Sequence, residues 1–135
     1  MSDPLGVVKR LFDAQNAHDL DAMVACFAPD YRSEQPAHPS RTFVGSEQVR
    51  KNWARLLDAI KGFRTELIDI AVQGDRAWVE FHWTGTRADG SLFDERGVGI
   101  FIVSDGCLIS ARLYADEVEV ASGIDDAVAR MAGKS

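Results

Sequence analysis

The sequence has few basic residues for its length, and this shortage argues against the partners that basic residues bind. Of 135 residues, 15 are lysine or arginine and 21 are aspartate or glutamate, which gives a formal net charge of −6 and a pI of about 5.0. Nucleic acids and anionic membranes are bound by clustered basic side chains, and no basic stripe is present. We therefore expect neither a nucleic-acid partner nor a membrane partner.

Long apolar runs and cysteine motifs are also missing. No segment approaches the roughly 20 apolar residues that span a bilayer, and no secretory apolar region precedes the first polar residues. Cys26 and Cys107 stand in no metal-binding or redox spacing, so we expect two unpaired thiols. The sequence predicts no metal site and no cofactor. These shortages together favour a cytoplasmic location.

The spacing of the apolar residues changes once along the chain. The first 60 residues have helical spacing and predict three helices, with Asp3 and Asp19 as N-caps of the first two and Gly45-Ser46 at the start of the third. From Phe63 the period is two, which predicts four antiparallel strands over residues 63–72, 76–86, 92–104 and 107–116. One domain of 135 residues with helices before an antiparallel sheet is an α+β fold.

Three further segments complete this outline. The first helix carries an apolar stripe on one side, and the positions with helical spacing are Leu5, Val8, Leu11, Phe12 and Gln15. Residues 31–35 predict a short strand, followed by a loop with His38 between two prolines. Residues 125–131 predict one or two last helical turns.

The hairpin over residues 76–103 has the strongest local signal. Asp89-Gly90 between two alternating runs predicts a two-residue type I′ turn. In this register Glu80 lies opposite Gly99 and His82 lies opposite Gly97, while Thr84 faces Glu95 and Trp78 faces Phe101. The other face is uniformly apolar and consists of Val79, Phe81, Trp83, Val98, Ile100 and Ile102.

Glu80 and His82 are the predicted chemical groups of this hairpin. Two residues apart on one strand, they share a face at a Cα separation of about 7 Å. A buried carboxylate would orient the imidazole and let His82 exchange a proton near neutral pH. Glycines 97 and 99 would leave room for a ligand. The alternative is a solvated polar face whose ion pair contributes about 0–1 kcal/mol.

Four aromatic residues are candidates for the wall of a ligand pocket. Trp53, Phe63, Trp78 and Phe101 have helix or strand spacing that would suit a flat, apolar ligand. The same spacing is more often typical of core packing.

Several short motifs resemble the SnoaL-like branch of the nuclear transport factor 2-like superfamily, which includes ketosteroid isomerases. The motifs are Asn16-Ala17-His18-Asp19-Leu20-Asp21-Ala22, Phe27-Ala28-Pro29-Asp30, Phe43-Val44-Gly45, Thr84-Gly85-Thr86, Val98-Gly99-Ile100-Phe101, Asp105-Gly106 and Leu113-Tyr114-Ala115-Asp116. The resemblance covers about residues 4–116 and leaves residues 117–135 as a tail. It implies a cystatin-like cone in which helices and a strongly curved antiparallel sheet enclose one pocket, usually in a homodimer.

The resemblance does not carry over the superfamily's known mechanisms. The general-base aspartate of ketosteroid isomerases corresponds to Gln35, their oxyanion tyrosine to Leu11 and their protonated aspartate to Gly99. The ionisable pair of limonene-type epoxide hydrolases falls near Glu80 and His82, with both members changed. Gln35 then becomes a hydrogen-bonding residue of the pocket.

The last strand has two possible registers. A two-residue turn at Asp105-Gly106 would turn Arg112, Tyr114 and Asp116 toward the pocket. A three-residue turn with a bulge at Gly106 would turn Ala111, Leu113 and Ala115 inward, and the resemblance favours this second register.

We therefore predict a homodimeric pocket domain that acts on a small apolar metabolite through Glu80 and His82. Isomerisation, cyclisation, dehydration and hydrolysis all fit this hypothesis. The predicted ligand-binding residues are Gln35, Trp53, Phe63, Trp78, Glu95, Gly97, Gly99, Phe101 and Leu113, and the predicted dimer surface is the apolar hairpin face. The alternative is a non-catalytic ligand-binding or protein-association module of the same fold.

Overall fold

Helices cover one face of a six-stranded sheet in the computed structural model, which describes residues 3–120 and 123–133. The α-helices are α1 (Pro4–Asn16), α2 (Leu20–Val24), α3 (Ser46–Ala59) and α4 (Ile124–Ala132). The strands are β1 (Phe27–Glu34), β2 (Phe43–Val44), β3 (Lys61–Gln73), β4 (Arg76–Thr86), β5 (Leu92–Ser104) and β6 (Cys107–Glu117). The predicted α+β class, the three N-terminal helices and the four long strands are confirmed.

Local capping explains where the first two helices begin. The Asp3 carboxylate accepts a hydrogen bond from the Gly6 amide at 3.0 Å, and Asp19 accepts one from the Ala22 amide at 3.0 Å. Each bond satisfies an amide that has no partner within the helix. None of the helices in the described residues is long and apolar enough to cross a membrane.

The sheet order is β2-β1-β6-β5-β4-β3, and every neighbouring pair is antiparallel except β1 with β6. The sequence analysis missed β2 and began the first strand at residue 31 instead of Phe27. The start was not predicted because Pro29 follows it, and a proline cannot donate a hydrogen bond to a neighbouring strand. Pro29 lies where the β1–β6 register shifts, between Phe27 and Arg32.

The predicted register of the β4–β5 hairpin is wrong by one residue. Asp89 does not adopt positive φ, whereas Gly90 does, at 86°. The Arg87 amide donates to the Ser91 carbonyl and the Gly90 amide donates to the Arg87 carbonyl, each at 2.9 Å. The loop is therefore three residues long, with Gly90 in the left-handed position of a bulge turn.

The extra loop residue shifts the pairing of β4 with β5 by one position. Residues of the two strands that were predicted to share a face therefore lie on opposite faces of the sheet. Phe81 lies opposite Gly97 and Val79 lies opposite Gly99. Val79 and Phe81 are 0% and 1% exposed and belong to the core. The predicted dimer surface is accordingly split, because Val79, Phe81 and Trp83 point inward under the helices, whereas Val98, Ile100 and Ile102 lie on the outer face of the sheet.

The two glycines of β5 make room for protein atoms instead of a ligand. A Cβ on Gly97 would overlap the backbone of Tyr114 and Ala115. A Cβ on Gly99 would lie 2.7 Å from the Phe101 ring and 3.0 Å from Leu113. The predicted ligand space above these glycines is therefore filled by β6 and by the Phe101 side chain.

The β5–β6 hairpin has the two-residue turn of the first predicted register and the inward-facing residues of the second. Asp105 and Gly106 form a two-residue turn with φ of 52° and 77°, and Ser104 pairs with Cys107. An irregularity then shifts the ladder between Val103 and Ile102, and Ile109 is the extra residue on β6. Beyond this bulge the inward residues are Ala111, Leu113 and Ala115, as the resemblance implied.

The observed register predicts a large loss of stability when Phe81 is truncated and almost none when the adjacent Glu80 is truncated. Phe81→Ala should lower the free energy of unfolding by about 3–5 kcal/mol because it empties a fully buried site. Glu80→Ala, the matched control on the exposed face, should change it by less than about 0.5 kcal/mol. Urea unfolding measures both values. A larger loss for the Glu80 variant would contradict the register.

Candidate functional site

A cavity of about 270 Å³ lies between α1, α3 and the inner face of the sheet. Aromatic side chains from α1, α3, β4 and β5 form much of its wall, and they include Phe12, Trp53, Phe81, Trp83 and Phe101. This size and composition are near the lower limit for a small-molecule site. The cavity is the candidate functional site.

The aromatic wall is held by a continuous series of ring contacts. The ring centroids of Phe12 and Phe81 are 6.4 Å apart with an interplanar angle of 79°. Trp83 lies 4.9 Å from Phe81 at 32° and 5.4 Å from Trp53 at 77°. Edge-to-face and tilted contacts of this kind add to burial, so the wall is pre-formed.

The polar part of the wall is uncharged. Tyr31, Ser33 and Gln35 alternate along and just beyond β1, so their side chains face the same way. Gln15 of α1 and Asn52 of α3 complete the polar lining. Within the described part of the chain, no aspartate, glutamate, lysine, arginine or histidine lines this cavity.

Tyr31 is the titratable residue of the wall, and it stays protonated at neutral pH. Burial raises the pKa of Tyr31 to about 12, against a smaller opposing effect of its hydrogen bond with Ser33. Tyr31 and Ser33 are 3% and 2% exposed. The phenol can therefore donate a hydrogen bond to a ligand, but it cannot serve as a base at neutral pH.

Ionisable groups gather beside the cavity, where the segment after β1 meets the end of β6. Gln35 accepts a hydrogen bond from Arg41 at 3.0 Å, and His38 Nε2 lies 2.9 Å from an Asp116 carboxylate oxygen. Arg87 pairs with Glu117. The His38–Asp116 contact ties the loop that follows β1 to the last strand, and the Arg87–Glu117 pair ties the β4–β5 loop to the same strand.

Glu95 belongs to this ionisable group and lies next to the aromatic wall. In the sheet, Glu95 lies opposite Trp83 on β4 and opposite Glu117 on β6. Burial, and then the charges of Glu117 and Asp116, raise the pKa of Glu95, whereas Arg41 and Arg87 lower it. A half-buried carboxyl with a raised pKa suits proton transfer.

Four of the predicted ligand-binding residues line the cavity, namely Gln35, Trp53, Phe101 and Leu113. Phe63 does not line it; its ring lies 5.3 Å from Trp53 and packs with Ile60 and Phe93 in a separate core cluster. Glu95, Gly97 and Gly99 share the inner face but are not among the lining residues. Trp78 lies on the outer face, opposite Ile100, and is 44% exposed.

Glu80 and His82 lie outside the cavity, so their predicted placement in the pocket is wrong. The three-residue loop puts both on the outer face, where Glu80 is exposed. His82 Nε2 contacts Asp94 on β5 at 2.6 Å, and its Nδ1 lies 3.8 Å from Glu66 on β3. The partners of His82 thus come from the neighbouring strands and not from Glu80.

The sequence analysis missed most of the polar wall. Tyr31 and Ser33 could have been found by extending the period-two pattern back from Gln35. Gln15 was visible as the only amide on an apolar helix stripe. Asn52 had no comparable signal, because it faces the cavity from an otherwise exposed position on α3.

No group of three or more histidine, cysteine, aspartate or glutamate side chains in residues 3–120 and 123–133 could hold a metal ion. Cys26 is buried, Cys107 is partly buried, and both thiols are free. Burial raises the pKa of Cys26, which leaves its thiol protonated and unreactive.

Comparison with known proteins supports one family. The sequence profile of the SnoaL-like domain matches residues 8–111. None of the curated proteins matches the chain.

Solved structures share the fold at low sequence identity. A candidate SnoaL-like polyketide cyclase from Jannaschia sp. CCS1 is 26% identical, with a TM-score of 0.72 over 84% of this chain and 85% of that one. An NTF2-like protein of unknown function from Burkholderia pseudomallei is 21% identical, with a TM-score of 0.73 over 86% and 92%. A hypothetical protein from Catenulispora acidiphila with a ketosteroid isomerase-like fold, in complex with trimethylamine, is 18% identical, with a TM-score of 0.72 over 83% and 86%.

The raised pKa of Glu95 predicts a pH-dependent effect of its replacement. In the pH range just above the usual glutamate pKa of 4.5, Glu95 is more protonated in the folded protein than in the unfolded chain. The free energy of unfolding therefore decreases as the pH rises through this range. Glu95→Gln should therefore be at least as stable as the wild type at about pH 7 and lose this advantage at about pH 4.

Urea unfolding at the two pH values and a carbon-13 NMR titration of the Glu95 carboxyl measure this effect. Glu80→Gln, a change of the same chemistry on the exposed face, is the control. A Glu95 variant that is more destabilised at the higher pH than at the lower would contradict the direction of the shift.

Proposed function

The chain belongs to the SnoaL-like domain family, and we propose that it binds a small, uncharged, largely apolar molecule in the cavity between α1, α3 and the sheet. The observation that carries this proposal is the composition of the wall. Aromatic rings and uncharged polar groups surround about 270 Å³ of space. The family alone does not identify a ligand, because its fold serves unrelated functions.

The uncharged wall favours an uncharged ligand. Moving an isolated charge from water into an apolar site is strongly unfavourable unless an opposite charge meets it there. The wall offers hydrogen bonds from Tyr31, Ser33 and Asn52 but no counter-ion.

The volume limits the ligand to a molecule of one or two rings, because the cavity would hold about nine waters at liquid density. The relative from Jannaschia is a candidate polyketide cyclase. This description supports a ring-containing carbon skeleton for the ligand of this chain too.

A second candidate function is acid/base catalysis on the bound molecule, in which Glu95, beside the cavity but not in its wall, would exchange the proton through one water molecule. Its half-buried carboxyl lies beside Trp83, and Arg41 links the same group of charges to Gln35 of the wall. This arrangement would permit isomerisation, cyclisation or dehydration without a metal. A Glu95 carboxyl that titrates at the ordinary glutamate pKa would remove the support for this candidate.

Blocking the cavity should abolish ligand binding. Naphthalene serves as an uncharged apolar probe, and its affinity is measured by isothermal titration calorimetry. Leu113→Trp places a larger ring in the cavity wall and should eliminate the binding seen with the wild type. Leu92→Trp makes the same change at a position that is 64% exposed and should bind like the wild type. Equal binding by both variants would contradict the proposal.

We also propose that the outer face of the sheet pairs two copies of the chain. Trp78 and Tyr114 are 44% and 46% exposed there, beside Val98 and Ile102. A two-fold interface brings the same patch against itself. Glu80 and Arg112 flank the apolar residues across the ladder from Val98 and Ile100, so the acid of one copy can meet the base of the other.

A charge at the centre of this outer surface should separate the two copies. Trp78→Glu is expected to yield monomers in size-exclusion chromatography with light scattering, because an unpaired charge would be buried in the interface. Leu5→Glu, at a 40% exposed position on α1, should leave the dimer intact. A wild-type protein that is monomeric at micromolar concentration would contradict this proposal.

A further inference from the structure

We propose that the ligand carries an uncharged hydroxyl group, which binds in a polar corner of the cavity between Gln15 and Trp83, beside the strand position of Thr65. This inference rests on the proposed function and deepens it by naming the chemical class of the ligand, a cyclic or aromatic alcohol.

Three buried side-chain atoms in the described residues lack a hydrogen-bond partner; two belong to residues that line the cavity, and the third belongs to the ladder partner of Trp83. They are Gln15 Oε1, Thr65 Oγ1 and Trp83 Nε1. Gln15 and Thr65 are only 3% and 2% exposed. Buried polar atoms almost always have partners in folded proteins, so the unpartnered atoms of the two wall residues, Gln15 and Trp83, indicate a ligand group that joins them when the site is occupied.

Backbone pairing and one side-chain clamp bring these residues together. Thr65 on β3 lies directly opposite Trp83 on β4. Asn16, the residue after Gln15, donates to the Thr65 carbonyl at 2.9 Å and accepts from the Thr65 amide at 2.8 Å. The end of α1 is therefore held against this strand pair, and both Gln15 and Trp83 line the cavity.

The hydrogen-bonding character of the corner selects a hydroxyl. An amide oxygen only accepts, an indole N–H only donates, and a threonine hydroxyl does both. One ligand hydroxyl can donate to Gln15 and accept from Trp83. A carboxylate has no proton for Gln15 and no cation in the wall, whereas an ammonium group would leave Trp83 unpaired.

The rings next to the corner select the rest of the ligand. The Trp83 ring also contacts the rings of Phe81 and Trp53, whose centroids lie 4.9 Å and 5.4 Å from the Trp83 centroid. Apolar ring faces bind a flat carbon skeleton through area burial and offset ring contacts. A fused two-ring alcohol combines this skeleton with the required hydroxyl, so 2-naphthol is a suitable probe.

Three probes that differ in one substituent test the inference on the wild-type protein. Isothermal titration calorimetry compares 2-naphthol, naphthalene and 2-naphthoate. The hydroxyl should strengthen binding by about fivefold or more over naphthalene, because it gives partners to buried polar atoms. The carboxylate should bind most weakly of the three.

Two variants identify the corner as the source of this preference. Gln15→Leu and Trp83→Phe should each remove most of the preference for 2-naphthol over naphthalene. Gln73→Leu and Trp78→Phe make the same changes at exposed positions and should preserve it. Gln15→Leu replaces an unpartnered buried oxygen by an apolar group, so its melting temperature should not fall.

The outcomes separate this inference from the proposed function. Equal affinity for 2-naphthol and naphthalene, as expected if only water occupies the corner, overturns the inference and leaves the proposed function standing. Tighter binding of 2-naphthoate, or a preference that survives both variants, also overturns it. If none of the three probes binds, the proposed function itself fails. The comparison of probes on the wild type decides the matter even where a variant does not fold.

Discussion

The pairing of Phe81 with Gly97 is the constraint on which the rest of the structure depends. Because side chains alternate along a strand, this one pairing decides which half of the β4–β5 hairpin faces the helices. It buries Val79 and Phe81, whose ring contacts Phe12 of α1, and it leaves Glu80 and His82 on the outer face. The absence of a side chain at Gly97 lets the β6 backbone lie close beside it.

This arrangement separates the two kinds of chemistry that the chain contains. The cavity is lined by aromatic, aliphatic and uncharged polar groups, whereas the His38–Asp116 pair lies beside it and the His82–Asp94 pair lies on the outer face of the sheet. The separation follows from solvation, since a charge without a partner is strongly disfavoured in an apolar enclosure. The proposed ligand would therefore be selected by shape and hydrogen bonding, and Glu95 lies opposite a wall residue, Trp83, in the β4–β5 ladder.

Most of the fold could be predicted from local signals. The caps at Asp3 and Asp19, the start of α3 and the four long strands depend on residues close together in the chain. The structure places some of the predicted site residues in the cavity wall and others outside it. Gln35, Trp53, Phe101 and Leu113 line the cavity as expected, but Glu80, His82 and Trp78 do not, because their faces depended on the length of one loop. Asp89-Gly90 suits both a two-residue and a three-residue turn, and only packing distinguishes the two.

The sequence by itself determined the secondary structure, the α+β class and the resemblance to the SnoaL-like family, because periodicity, caps and turn residues act over a few neighbouring positions. Only the tertiary structure decided which face of the hairpin is inside and which polar groups meet in the cavity. Gln15 and Trp83 are far apart in the chain, and the hydrogen bonds of Asn16 to Thr65, together with the Thr65–Trp83 ladder pairing, hold the end of α1 against this strand pair. Burial of Phe81 outweighs any benefit from turning Glu80 inward, since an apolar ring gains free energy on leaving water and an unpaired carboxylate loses it.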